Sequence, residues 1–254
     1  MARIAHLADL HFGEGSEAAA EALAADIRTQ APDAVVVSGD LTRRARPAEF
    51  SAALAFLEAL EAPLLVVPGN HDIPRGDVLA RFLDPRRRWR AARPGALRDV
   101  LSLPGLRLIG LDSVSRAQWH LDWAAGAISA PRRAGLDAAL ARPGEAMTIV
   151  TCHHPLRHPA WAAHRRAPRH AEPTIALLRE HGVAALLCGH LHRAAVTVLG
   201  AGGPLQVVAP SALSPRGLGC PNGWNLIIAE AGRCRVILRE RGGDGWTAQP
   251  LDPA

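Results

Sequence analysis

Five apolar runs in this chain each break abruptly into Asp, Asn or His, and no other feature narrows its fold as far. Residues 64–67 (Leu-Leu-Val-Val) read as a buried strand that runs into Pro68-Gly69-Asn70-His71-Asp72. Pro68 lacks a ladder donor and Gly69 admits unusual dihedrals, so the strand must end there. Taken alone, that stretch is an ordinary turn. The same break recurs at Asp9-Leu10-His11-Phe12-Gly13, at Ser38-Gly39-Asp40-Leu41-Thr42, at Cys152-His153-His154-Pro155 and at Cys188-Gly189-His190-Leu191-His192.

Between the runs the periodicity changes from strand to helix. The expected strands are 3–8, 34–37, 64–67, 106–111, 148–151 and 184–187. The expected helices are 16–30 with Ser16 as N-cap, 47–61 with Pro47 in its first turn, 129–141 with Ser129 as N-cap, and 173–182 stopped by Gly182. Phe50, Leu54, Leu57 and Leu60 fall at helical spacing and form the buried stripe of the second helix. Alternating strands and helices imply a parallel α/β arrangement with strands buried on both faces. Residues 74–104 read as helix plus loop over the sheet edge, and 156–172, with His158, His164 and His170, as an irregular segment near the site mouth. From 195 onward the helices stop. Residues 195–199, 204–208, 225–229 and 234–239 read as antiparallel strands, followed by a loosely packed Gly-rich tail over 242–254. No linker or repeat divides the chain, so residues 1–254 are expected to form one domain.

Composition sets the outer limits. Apolar residues make up 48% of the 254 and charged residues 21%, as in a packed globule. All 29 basic residues are Arg, and the net charge is +5. A GC-rich coding sequence accounts for most of that bias; a basic excess also draws anionic substrates. Arg86 to Arg90 is the densest basic patch and is read as a solvated helix face. The four cysteines are scattered without a C-x-x-C pair, which argues against a disulfide framework or a thiolate zinc site. Reduced thiols and an N-terminus without a signal-peptide core place the chain in the cytoplasm.

In an open α/β sheet, ligands bind beyond the carboxyl ends of the strands. Asp9, His11, Asp40, Asn70, His153, His190 and His192 all fall there. Carboxylate, amide oxygen and imidazole are hard-to-borderline metal ligands. Seven exceed the three or four of one tetrahedral site. They suit two ions about 3.5–4 Å apart that share a bridging carboxylate.

The blocks Asp9-Leu10-His11-Phe12-Gly13, Gly39-Asp40-Leu41-Thr42, Gly69-Asn70-His71-Asp72, His153-His154-Pro155 and Gly189-His190-Leu191-His192, in this order, resemble those of the calcineurin-like metallophosphoesterases. The resemblance implies a four-layer αββα sandwich of two mixed sheets flanked by helices, with the C-terminal antiparallel set in the second sheet. It implies one divalent ion on Asp9, His11, Asp40 and His192, and another on Asp40, Asn70, His153 and His190, with Asp40 bridging. Manganese, iron, zinc and cobalt all suit those ligands. It implies phosphodiester hydrolysis by a metal-bridging hydroxide, with Asp40 and His71 as catalytic residues and His71 as general acid. Asn70, His71, His154 and His192 would contact substrate, His154 either lining the site or supporting the ligands from behind, and a neutral Asn70 leaves the centre about one positive charge.

Among such enzymes the chain looks most like bacterial class III cyclic-nucleotide phosphodiesterases, to which residues 221–227, after Ser211 and Arg216, are also similar. A 3′,5′-cyclic nucleotide is therefore the second bet after phosphodiesters in general. The alternatives are a phosphomonoesterase, a nucleotide-pyrophosphate hydrolase, a nuclease, and a non-catalytic scaffold on the same fold. The expected partner is a small-molecule phosphate ester rather than a membrane or a nucleic acid, with a homodimer as the assembly to test. Trp119, Trp123 and Trp161 are read as loop residues packed on the core in preference to an apolar lip that stacks on a base.

Overall fold

Period-two alternation decides which core each strand residue enters. In β2, Val35 and Val37 face helices while Ala34 and Val36 face a second sheet, and all four are fully buried. The structure is a computed structural model that describes residues 1–74, 76–92, 99–116, 122, 124–144, 147–214, 219–243 and 245–253. Trp119, Trp123 and Arg216 lie outside the described residues.

The chain begins with β1 (Ala2–Leu7), α1 (Glu17–Thr29), β2 (Ala34–Val37), α2 (Pro47–Glu58) and β3 (Leu64–Val66). It continues with α3 (Val78–Leu83), α4 (Arg87–Ala92), β4 (Val100–Leu103), β5 (Leu106–Gly110), α5 (Ala130–Leu140), β6 (Met147–Thr151), α6 (Ala171–Glu180) and β7 (Ala185–Cys188). It closes with β8 (Ala195–Val198), β9 (Leu205–Val208), β10 (Gly223–Glu230), β11 (Arg233–Gly242) and β12 (Gly245–Pro250). Two six-stranded mixed sheets result, ordered β12-β11-β10-β1-β2-β3 and β4-β5-β6-β7-β9-β8.

Three apolar layers hold the sandwich. Leu7, Leu23, Ile27, Phe50, Leu57 and Trp224 pack the first sheet on α1 and α2. Ile4, Val36, Leu108, Ile149, Leu187 and Ile227 fill the space between the sheets. Val150, Leu186, Leu136, Ile175 and Leu178 pack the second sheet on α5 and α6. Each such side chain contributes about 1.5–3 kcal/mol by leaving water. Ser16 caps α1 by accepting from the Ala19 N–H at 3.2 Å, whereas Ser129 precedes α5 without a side-chain cap bond.

Four expectations change. The C-terminal strands divide between the sheets: β8 and β9 join the second, where β9 runs parallel to β7, while β10 to β12 extend the first. Residues 74–104 include an edge strand, β4, paired antiparallel with β5. The tail is not loose, because Gly245–Pro250 pairs with β11, although most of its side chains are exposed. The 86–90 patch is not freely solvated: Arg86 pairs with Asp112, Arg88 with Asp77, Arg90 with Asp84, and Trp89 is buried against Phe50. Among the described residues, no helix is long and apolar enough to cross a membrane.

Candidate metal centre

All seven side chains expected as ligands meet beyond the carboxyl ends of β1, β2, β3, β6 and β7. The loops that carry them are strained. Asp9, His11, Asp40, His190 and His192 all have left-handed backbones, with φ between 47° and 72°, a region that costs a non-glycine residue about 1 kcal/mol or more. Backbone bonds from Asp9 N to Gly39 O and from His11 N to Asp40 O, each 3.0 Å, lock the first two loops together. Gly69 must lack a side chain, because a Cβ there would overlap Asp40 Oδ1 and its backbone nitrogen.

Hydrogen bonds behind the site fix the tautomers. His153 Nδ1 lies 2.8 Å from the Ser38 carbonyl and His11 Nδ1 lies 3.3 Å from the Thr42 carbonyl. A carbonyl only accepts, so each Nδ1 carries the proton and each Nε2 presents a lone pair. His153 Nε2 faces Asn70 Oδ1 at 3.0 Å and Asp40 Oδ2 at 3.5 Å. His11 Nε2 faces His192 Nε2 at 3.2 Å, Asp9 Oδ1 at 3.7 Å and Asp40 Oδ2 at 3.8 Å. His190 Nδ1 completes the second group, 3.1 Å from Asn70 Oδ1. Asp40 Oδ2 thus belongs to both groups.

The donor set fits cations. Asp9 Oδ1 is buried and no donor is aligned on it, although His192 Nε2 is 3.2 Å away. Lone pairs converging on one another are unfavourable unless a cation lies among them. Burial works to raise the Asp9 carboxyl, but the imidazoles of His192, His153 and His11 outweigh it and hold Asp9 below the carboxylate range. Burial also lowers His11, and holds His190 well below the usual imidazole range. Neutral imidazole and ionised carboxylate are the forms that bind metals.

His71 stands beside these groups, and His154 lies close to His153 and His190 with its nitrogens bonded elsewhere. His71 Nδ1 lies 2.8 Å from the Arg43 carbonyl, and its ring stands edge-on to His11 with centroids 4.8 Å apart. His154 uses both nitrogens elsewhere: Nε2 donates to the Ala124 carbonyl at 2.7 Å and Nδ1 accepts from Ser113 Oγ at 2.8 Å. It therefore packs behind His153 with ring centroids 4.7 Å apart, and no nitrogen is left to touch substrate.

Supporting residues were harder to read from sequence. Asp72 accepts from the N–H groups of Leu41, Thr42 and Gly69 and from Thr42 Oγ1, bracing the Asp40 and Asn70 loops. Burial, then the Asp40 charge, push Asp72 up to about 6 against those bonds. Its presence in the Gly69-Asn70-His71-Asp72 block was the available signal. Ser211 Oγ donates to the Asp9 carbonyl at 2.8 Å. Ser113 carried no local signal, since its partner lies 41 residues away.

A family model described as calcineurin-like phosphoesterase matches residues 2–194. The chain belongs to that family. Its members use divalent metal ions, which agrees with the convergence of Asp and His described above. This calcineurin-like phosphoesterase is 33% identical over 163 residues to the glycerophosphodiester phosphodiesterase GpdQ of Enterobacter lignolyticus, covering 60% of this chain and 56% of that protein. It is 32% identical over 166 residues to the cAMP/cGMP dual specificity phosphodiesterase MT0825 of Mycobacterium tuberculosis, covering 63% and 49%. The chain spans about half the length of these curated relatives. Among solved structures, TT1561 of Thermus thermophilus superposes with a TM-score of 0.61 at 15% identity, covering 92% of this chain and 97% of that one. Purple acid phosphatase PPD1 of yellow lupin seeds superposes with a TM-score of 0.66 at 14% identity, covering 99% and 54%. At that identity the likeness is one of fold.

Proposed function

We propose that this calcineurin-like phosphoesterase hydrolyses phosphodiesters with two divalent ions, one on Asp9, His11, Asp40 and His192 and one on Asp40, Asn70, His153 and His190. The observation that carries the reading is Asp40 Oδ2, which faces His11 on one side and His153 on the other. Manganese, iron, zinc and cobalt are the metals this mixture of O and N donors suits. When bound, such ions activate water and polarise the phosphoryl group.

The protein side chains do the remaining work. Asn70 binds as a neutral amide, so the centre keeps the positive charge that attracts a phosphate anion. The Arg43 carbonyl holds His71 Nδ1–H, which leaves Nε2 for proton transfer to the leaving oxygen. Ser38 and Thr42 keep the ligand imidazoles in the tautomer that presents Nε2. Substrate contact falls to Asn70, His71 and His192, and His154 acts by supporting His153. Four unpaired cysteines support a cytoplasmic setting.

Relatives named for glycerophosphodiesters and for cyclic nucleotides support a diester substrate, with a 3′,5′-cyclic nucleotide as the specific candidate. The test is a panel of cyclic nucleotides, linear diesters and phosphomonoesters, with metal content measured on the same sample. Diesters should be turned over at least about tenfold faster than monoesters, a 1.4 kcal/mol preference. A monoester preference overturns the diester assignment. Metal-free protein that leaves bis-p-nitrophenyl phosphate intact favours the scaffold alternative.

A further inference from the structure

The segment over the His190–His192 side of the centre carries an aromatic ring and several guanidinium groups. Arg165 donates to the His190 carbonyl at 3.5 Å, which holds the 156–170 loop on the loop that bears His190. His158 Nδ1, 3.1 Å from the Arg165 carbonyl, ties the loop to itself. Arg193 directly follows His192, and its guanidinium carbon lies 5.0 Å from the centroid of the Trp161 ring. Trp161 sits in a 3₁₀ turn (Ala160–Ala162) and is 37% exposed. It is not packed into the core, as the sequence suggested. Residues 156–170 include Arg157, Arg165, Arg166 and Arg169 and no carboxylate; the nearest acid along the chain, Glu172, pairs with Arg157.

Charge decides what this rim selects. An exposed indole face by itself attracts both planar aromatic groups and quaternary ammonium groups. Here Arg193 already engages the ring as its cation, and Arg165 places one further positive charge beside any incoming group. A cationic alcohol such as choline is repelled, whereas a neutral or anionic planar group gains both stacking and attraction. We infer that Trp161 and Arg193, with Arg165, form a specificity rim that selects phosphodiesters with a planar, uncharged or anionic alcohol, such as a nucleoside, over those with a quaternary ammonium alcohol. This rests on the phosphodiester reading above and names its substrate class.

The experiment compares cyclic AMP with glycerophosphocholine on manganese-loaded full-length protein, with metal content and urea midpoint measured for every variant. Trp161→Ala should lower the ratio of kcat/KM for cyclic AMP over glycerophosphocholine by about fivefold or more, the low end of a base–aromatic stack. Arg193→Glu should lower the same ratio by raising glycerophosphocholine turnover, a change of sign that loosened packing would not produce. A ratio within about twofold of the parent in both variants, at equal metal content, overturns the rim. Calorimetric binding of AMP and phosphocholine to the same proteins separates the two claims. If neither diester is hydrolysed, the phosphodiester reading fails. The rim then stands or falls on whether the parent prefers AMP and both variants lose that preference.

Discussion

The His71 backbone N–H donates to Asp40 Oδ1 at 2.8 Å, and that bond gives the two oxygens of one carboxylate different tasks. Oδ1 is occupied by the Asn70-His71 turn. Oδ2 is left facing His11 Nε2 at 3.8 Å and His153 Nε2 at 3.5 Å. The turn that supplies one ligand, Asn70, therefore also aims the carboxylate shared by both groups.

Asp40→Asn should dismantle both metal positions together. The substitution removes the charge that faces both imidazole groups and lets an N–H₂ point where Oδ2 does. Bound metal should fall from about two ions per chain to about none, as read by elemental analysis. Two ions retained would show that Asp40 is not shared.

His71→Ala should keep its metals and lose turnover by about 10²–10⁴-fold, the usual contribution of a positioned general acid. The His71 ring lies against His11 but its Nδ1 is committed to the Arg43 carbonyl. Loss of metal with specific activity per bound ion preserved would make it a ligand instead.

His153→Ala and His154→Ala should part company although the residues are neighbours. His153 Nε2 points at Asn70 and Asp40, whereas both nitrogens of His154 are bonded to Ala124 and Ser113. His153→Ala should lose metal affinity by about 10²-fold or more. His154→Ala should lose about tenfold, as when an outer partner of a ligand is removed. Equal losses in a metal titration would contradict the difference in their roles.

His6 predicts an acid-labile fold. It is fully buried between the sheets, with Nε2 2.8 Å from Ser38 Oγ. Burial, opposed in part by the Asp9 charge, lowers its pKa to about 3. The folded value lies below that of the unfolded chain, so the unfolded state binds the proton first. Stability is intact above about pH 6.5 and falls as the pH drops toward 3, by about 1.4 kcal/mol per pH unit from this group. With a chelator present, urea unfolding of His6→Gln between pH 6 and 4.5 should show a slope shallower by about that amount. An identical slope would mean His6 is protonated in the fold.

The alternation of strand and helix outside residues 74–104, the Ser16 cap, the Pro47 start of α2 and the convergence of seven Asp, Asn and His side chains were legible because each is a local property. An apolar run that breaks at glycine announces a strand end, and side chains at strand ends face the ligand side of an open sheet. The division of the last strands between two sheets was not legible. Residues 205–208 and 223–230 are both largely buried apolar runs, yet β9 lies beside β7 and β10 beside β1. Pairing partners depend on which open edge a strand reaches, and periodicity contains no term for that.

The same divide runs through the site. Sequence by itself determined which residues converge, since the types and their order along the chain are local facts. Tertiary structure decided which atom of each does what. Ser38 and Thr42 carbonyls set the tautomers of His153 and His11, Ser113 and Ala124 withdraw His154, and the His71 N–H divides Asp40. Each of those partners lies at least 30 residues along the chain from the residue it bonds. The 2.8 Å bond between His153 Nδ1 and the Ser38 carbonyl exists only once the two sheets have closed on a common core, because β6 and β2 lie in different sheets.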